Sequence, residues 1–200
     1  NIFVVTIIAS FLSSFFFYLY YAYRVYQIYV SRAAISIVTV ILPQLLIYIQ
    51  FKKKDDIIFI QNKSLELSLF LSIPAAIALA ISSEEIISAL FGYGSFDEDS
   101  VKNSARALFY FSLGLPAFSL IKVFSSFFFA RHNTKVPFYI SLVSVLLNIL
   151  ISIFYFKNLG FIIITIATTI YSLFNSLIFF IFLKEYEFCN CNVFFIKNFI

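Results

Sequence analysis

Apolar stretches alternate with short polar ones along almost the whole chain. A membrane-spanning helix needs about 20 mostly apolar residues, and the chain has room for about six of them. Besides the start of a further helix at 193–200, the pattern predicts helices at 1–12, 15–49, 65–91, 104–130, 137–156 and 159–184. We therefore expect a single, all-α transmembrane region in the form of a polytopic helix bundle.

The composition supports a location within a membrane. Hydrophobic residues make up 62% of the chain and charged residues only 12%, whereas soluble domains contain about 25% charged residues. Asn1 and Ile200 both lie in apolar runs, and the chain has no methionine. We expect it to be an internal fragment of a longer multi-pass protein.

Basic residues cluster between the predicted helices and indicate the orientation of the chain. Cytoplasmic loops of membrane proteins carry an excess of Lys and Arg, which places residues 52–54, residues 131–135 and Lys184 on the cytoplasmic side. Residues 96–99 and Lys157 then face outward. This arrangement accounts for the net charge of +4, and we expect no nucleic-acid partner.

Arg24 has the greatest functional interest, because it lies in an aromatic and apolar stretch that runs from Phe15 to Pro43. A guanidinium in hydrocarbon is costly, and such residues usually face a bundle interior or a water-filled cavity. The alternative is that Arg24 lies near a helix end and extends to the headgroups. A loop containing both Arg24 and Arg32 would fall on the external side, against the positive-inside rule, so we place Arg24 within the membrane.

The helical neighbours of Arg24 predict a polar and aromatic wall beside it. Tyr20, Tyr23 and Gln27 lie three or four positions away and so share its helix face. A guanidinium is a planar, permanently charged group that suits phosphate oxygens. Arg24, Tyr20, Tyr23 and Gln27 are therefore the candidate substrate-binding residues.

Two positions predict bends in the helices. Pro74 lies in the middle of one predicted span, and Gly114 and Pro116 interrupt another. Each proline removes a backbone hydrogen bond and favours a kink. Lys122 follows the second bend, and we favour a structural role for it, either reaching the membrane surface or bonding to carbonyls freed by a neighbouring kink. A place in the binding site is the secondary interpretation.

The chain offers little for metal or cofactor chemistry. Cys189 and Cys191 are the only cysteines, and His132, the only histidine, lies far away in sequence. A metal site needs more ligands, so we expect two reduced thiols, no metal site and no cofactor. The acidic residues at 97–99 lack the oxygen spacing of a calcium loop, and one of the two aspartates is instead expected to cap the helix that follows.

Two sets of motifs resemble segments of the MurJ (MviN) lipid II flippases, which belong to the multidrug/oligosaccharidyl-lipid/polysaccharide exporter superfamily. Their order and spacing agree with the family pattern. The first set comprises Phe91, Gly94, Phe96, Asp97, residues 114–118, Lys122, Val123, residues 128–131, Thr134 and Pro137. The second comprises Tyr20, Tyr21, Ala22, Arg24, Leu42 and Pro43.

The resemblance implies a function as well as a fold. Such a flippase moves lipid II, the peptidoglycan precursor on undecaprenyl diphosphate, across the bacterial inner membrane by alternating access between two lobes. It implies that Arg24 is one of the arginines that line the cavity, and that the chain supplies roughly the seventh to the twelfth of the family's helices. Lipid II, membrane lipids and the cell-wall synthesis machinery are the implied partners. The protein would be a transporter and not an enzyme.

One departure from the family pattern and two other functions stay open. Tyr23 stands where the family has Asp, beside Arg24. A superfamily relative could move another polyprenyl-linked oligosaccharide or a cationic drug, although a drug exporter would be expected to carry an acidic residue inside its spans, and only Glu84 and Glu85 lie near one span end. A structural membrane subunit without transport would use Arg24 and Lys122 between helices or at the membrane surface.

Overall fold

The computed structural model describes residues 15–94 and 96–185, and these residues form seven helices with no strand among them. The predicted segments at 1–12 and 193–200, together with Cys189 and Cys191, lie outside the described residues. The helices are α1 (Phe15–Gln50), α2 (Lys54–Ile81), α3 (Ser83–Phe91), α4 (Glu98–Leu113), α5 (Leu115–Phe129), α6 (Lys135–Leu159) and α7 (Ile162–Glu185).

Four of these helices, α1, α2, α6 and α7, are long and apolar enough to cross a membrane. Neither α4 nor α5 passes this test alone, but the two helices pass it together. They give a fifth span if the bent pair crosses the membrane once. At a rise of 1.5 Å per residue, α1 is about 54 Å long, which exceeds the roughly 30 Å hydrocarbon core of a bilayer. The described part of the chain is therefore all-helical, and the protein is a multi-pass membrane protein.

The span made by α4 and α5 bends by 46° at Gly114. The backbone N–H of Gly114 donates to the carbonyl of Phe111 at 3.1 Å, and its own carbonyl accepts from Phe118 at 3.0 Å. Pro116 follows in the first turn of α5, where its missing N–H leaves no intrahelical bond unmade. A Cβ on Gly114 would lie 3.1 Å from Oγ of Ser172, so the missing side chain also lets α7 approach the bend closely.

The boundaries of α2 differ from the sequence pattern at both ends. The helix starts at Lys54 and not at Leu65, because its polar first turns remain helical and place two aspartates near the positive end of the helix dipole. It continues through Pro74 without interruption and ends before Ser82, after which α3 begins. The helix expected at 65–91 is thus two helices, and a kink at Pro74 stays a prediction.

The start of α4 also precedes the expected position, which was residue 104. Asp97 is the N-cap residue, and its Oδ1 accepts a hydrogen bond from the backbone N–H of Ser100 at 3.0 Å. Hydrogen bonds from Ser100 hold the pKa of the Asp97 carboxyl below its ordinary value. The predicted cap is confirmed, and α4 therefore begins at Glu98, with a largely polar first turn.

The helices pack around the bent span, which α1, α2 and α7 all contact, while α6 packs mainly against α7. The apolar core divides into two clusters along the bundle axis. One lies toward the start of α4 and includes Leu19, Ile87, Leu108, Phe111 and Ile164. The other lies toward the end of α5 and includes Leu45, Leu65, Phe127, Phe128 and Leu183.

Charged residues distinguish the two ends of the bundle. The basic residues 52–54, Lys135 and Lys184 lie where α1, α5 and α7 end, beyond the second core cluster. The acidic residues Glu84, Glu85 and those at 97–99 lie at the opposite end, beyond the first cluster. This separation matches the orientation that the sequence predicts. The assignment of the basic end to the cytoplasm remains a prediction.

Candidate functional site

Arg24 projects from the exposed side of α1 and contacts Tyr20, one turn earlier. Nη2 of Arg24 donates a hydrogen bond to the Tyr20 hydroxyl oxygen at 2.7 Å. The guanidinium carbon also lies 5.0 Å from the centroid of the Tyr20 ring, within range of a cation–π interaction. Arg24 makes no ion pair with any described residue, so its charge is oriented but not neutralised.

The neighbours of Arg24 fix its depth in the bundle. The ring of Tyr23 lies 5.9 Å from that of Phe111, and the ring of Tyr26 lies 5.5 Å from Phe111 and 5.6 Å from Phe118. Phe111 is about 20 Å along α4 from its first residue, and Phe118 lies just beyond the bend. Tyr21, three residues before Arg24, contacts Phe91 and Phe96 nearer the acidic end. Arg24 therefore lies within the bundle, between that end and the bend.

The other two predicted neighbours of Arg24 lie on the flank of α1 and not on its outermost line. Tyr23 is half-buried, with its ring against Tyr26 at 6.1 Å and against Phe111. Gln27 is also half-buried. The structure thus brings Tyr20 directly to Arg24, while Tyr23 turns toward the bent span.

Polar groups continue along the exposed side of α1 beyond Arg24. Arg32, Ser36 and Thr39 are all exposed. The Ser36 hydroxyl donates to the carbonyl of Arg32, and the Thr39 hydroxyl donates to the carbonyl of Ser36 at 2.8 Å. A helix face that contacts lipid is expected to be apolar, and intramembrane arginines usually face a cavity or a partner. The same side of α1 also carries Ile28 and Ile35, which are 60% and 46% exposed, so both polar and apolar side chains line it.

Lys122 lies on the exposed side of α5, with buried residues on either side of it in sequence. It makes no hydrogen bond or ion pair with any described residue, so the structure shows no bond from Lys122 to a carbonyl near the bend. Phe118, one turn earlier on α5, contacts both Tyr26 of α1 at 5.6 Å and Tyr171 of α7 at 6.0 Å. Lys122 thus continues a face of α5 that begins between α1 and α7.

Arg106 lines a pocket that the sequence pattern did not reveal. It is exposed on α4 and lines a pocket of about 570 Å³ together with Lys102 and Glu84. Because the preceding residues are strongly polar, this part of the chain resembles an ordinary solvated helix start. The available signal was the four-residue spacing of Lys102, Arg106 and Tyr110, which places two cations and a tyrosine on one helix face.

The fold defines a multi-pass helical membrane protein, and an exposed arginine lies within one of its long apolar helices. The family model described as "Lipid II flippase MurJ" matches residues 1–194. The chain belongs to this family.

Individual relatives agree with that assignment. The chain is similar to the "Probable lipid II flippase MurJ" of Rhizobium meliloti, with 38% identity over 63% of this chain and 24% of the relative. The Rickettsia prowazekii protein of the same description is 32% identical over 88% of this chain and 34% of its own length. The chain thus spans about a third or less of these relatives.

A solved structure shows the same fold. The structure titled "Lipid II flippase MurJ, inward closed conformation" matches with a TM-score of 0.78 and 27% sequence identity. The match covers 85% of this chain and 36% of that protein. The helical arrangement described above therefore corresponds to part of a solved flippase.

Proposed function

We propose that the full-length protein moves lipid II, the undecaprenyl-diphosphate-linked peptidoglycan precursor, from the cytoplasmic to the external leaflet of the bacterial inner membrane. Membership in the lipid II flippase family and the similarity to a solved flippase support this function. The substrate changes sides without making or breaking a covalent bond, so the protein is a transporter and not an enzyme. Enzymes that polymerise the exported precursor are its expected partners.

Arg24 carries the mechanistic part of the proposal. A diphosphate is the most strongly charged part of a polyprenyl-linked precursor, and it must pass the apolar middle of the membrane. A guanidinium at that depth offers a planar, permanently charged fork for phosphate oxygens. Electrostatic attraction there is also less screened than at the surface. Tyr20 holds the guanidinium from one side, which leaves its other N–H groups for the substrate.

The bend at Gly114 and Pro116 supplies the motion that transport requires. Alternating access needs one group of helices to rock against another around a fixed binding site. Tyr26, two residues after Arg24, contacts Phe111 and Phe118 on either side of the bend. The bend changes the direction of the central span by 46°. We propose that the two halves of this span move relative to the helices around them when the cavity changes sides, with Tyr23 transmitting the movement through its contact with Phe111.

Genetic complementation tests this function. The full-length gene carrying Arg24→Ala is expressed in a strain whose own lipid II flippase is switched off. We expect loss of growth with Arg24→Ala at normal membrane abundance, and full growth with the control Lys63→Ala, which removes one exposed cation paired only with Glu66 at 3.2 Å. Full growth with Arg24→Ala would remove this residue from the mechanism. Failure of the unaltered gene to support growth would contradict the flippase function itself.

A further inference from the structure

The pocket that contains Arg106 opens at the acidic end of the bundle, which the charge distribution predicts to be external. It lies where the start of α4 meets α3 and α7, and its volume is about 570 Å³. Its polar lining comes from Ser83, Glu84, Lys102, Arg106 and Tyr110. The pocket is separate from the mid-span position of Arg24, and the inference that follows does not depend on the proposed transport function.

Arg106 is the cation in this pocket that is free to bind a ligand. Nζ of Lys102 lies 2.7 Å from Oε1 of Glu98, so this lysine is already paired. Arg106 makes no hydrogen bond or ion pair with any residue that the structure describes, although Glu84 lines the same pocket. An unpaired guanidinium beside one carboxylate and one paired lysine favours an anion that can accept two parallel hydrogen bonds.

The same face of α4 changes from cationic to apolar along its length. Lys102 and Arg106 come first, followed by Phe109 and Leu113, whose side chains are 40% and 51% exposed. The four positions cover about 16 Å along the helix, which runs from the predicted external end toward the middle of the span. This order matches the polar headgroup and acyl chain of a lipid.

We propose that the pocket binds the phosphate group of an anionic phospholipid in the external leaflet. Arg106 is the principal phosphate ligand, and the exposed Phe109 and Leu113 contact the acyl chain. Basic residues at a membrane surface attract anionic lipids, and a guanidinium fits phosphate oxygens better than an ammonium does. Glu84 opposes binding, because its carboxylate lies in the same pocket as the phosphate.

Native mass spectrometry of the purified, delipidated full-length protein tests the proposal. The probes are phosphatidylglycerol and a diacylglycerol with the same acyl chains. We expect phosphatidylglycerol to bind and diacylglycerol to bind much more weakly, and Arg106→Gln to weaken phosphatidylglycerol binding by about five-fold, the scale of one basic residue at an anionic lipid surface. Arg106→Lys should weaken binding less, and the control Lys63→Gln should leave it unchanged.

A second variant separates ligand binding from a structural role. Glu84→Gln should strengthen phosphatidylglycerol binding, because it removes a repelling carboxylate, whereas damage to the fold would weaken binding in both variants. The proposal is overturned if Arg106→Gln binds like the control, if Glu84→Gln and Arg106→Gln weaken binding equally, or if diacylglycerol binds as well as phosphatidylglycerol. Displacement of the lipid by millimolar glycerol phosphate alone would assign the pocket to a soluble anion and overturn the lipid part.

Discussion

Two exposed arginines, Arg24 on α1 and Arg106 on α4, occupy different positions in the same bundle. Neither forms an ion pair with a described residue. Arg24 lies beside Tyr23, which packs on the bent span, and it contacts the ring and the hydroxyl of Tyr20. Arg106 lies near the acidic end, in an open pocket that also contains Lys102 and Glu84.

The function that an unpaired arginine indicates depends on how deep in the membrane it lies. An arginine near the membrane surface keeps much of its hydration and lies close to lipid phosphates. Placing the charge there costs little free energy, and the arginine interacts only with nearby groups. An arginine at mid-span is costly unless a cavity hydrates it or a ligand neutralises it. Arg24 therefore carries a stronger functional implication than Arg106, although both are the same residue type with similar exposure.

Substitution of Gly114 should have the largest effect on stability. The helices pack closely around Gly114, whereas the pocket that contains Arg106 is open. A Cβ at this position would lie 3.1 Å from Oγ of Ser172 and 3.3 Å from Oγ1 of Thr169. We expect Gly114→Leu to destabilise the purified full-length protein by about 1–3 kcal/mol through overpacking. Leu113→Ala, at an exposed neighbouring position, should change stability by less than about 0.5 kcal/mol. Thermal unfolding in detergent measures both, and equal effects would contradict close packing at the bend.

Conservative changes at the mid-span site should have intermediate effects. Arg24→Lys keeps the charge but loses the planar fork, so we expect transport by this variant to fall by several-fold and by less than with Arg24→Ala. Tyr20→Phe keeps the ring under the guanidinium and removes one hydrogen bond, worth about 1 kcal/mol or five-fold. Quantitative complementation at matched abundance ranks the variants. A Tyr20→Phe defect as large as that of Arg24→Ala would show that the tyrosine hydroxyl, and not the guanidinium, is the essential group.

The smallest expected effect is at the outer end, at the N-cap of α4. The folded state lowers the pKa of Asp97 through hydrogen bonds from Ser100. The stabilisation from this carboxylate is therefore complete above the ordinary pKa of an aspartate and is lost as the pH falls through the lowered value. Asp97→Ala should lower the thermal unfolding midpoint slightly at neutral pH. On acidification, the midpoint of this variant should fall by less than that of the wild type. Identical pH profiles for wild type and Asp97→Ala would contradict the cap.

Much of this fold was predictable from the distribution of apolar residues along the chain and from local motifs. Apolar runs indicated the spans, and the Gly114-Leu115-Pro116 sequence marks the point where the central span bends, because backbone geometry and lost donors act locally. The beginning of α2 at Lys54 was not predicted, because hydrophobicity marks where a helix meets lipid and not where the helix itself starts. Ser82, where α2 ends, has no glycine or proline to signal a break.

The candidate site was predictable only in part. Arg24 is conspicuous in an apolar run, and its contact with Tyr20 follows from helical spacing. The position of Tyr23 against Phe111 depends on how α1 packs on α4, which spacing along one helix does not determine. Arg106 was not predicted from the sequence for the same reason. Its pocket forms only where α4 packs against α3 and α7.

Direct measurement of lipid II translocation by Arg24→Ala and Arg106→Ala tests the central claim of a mid-span phosphate-binding arginine. The full-length variants are compared at equal membrane abundance by the appearance of lipid II in the external leaflet. We expect Arg24→Ala to lose roughly ten- to hundred-fold of the rate, as for the loss of hydrogen bonds to a charged group, and Arg106→Ala to stay near the wild-type rate. A wild-type rate with Arg24→Ala would contradict the account.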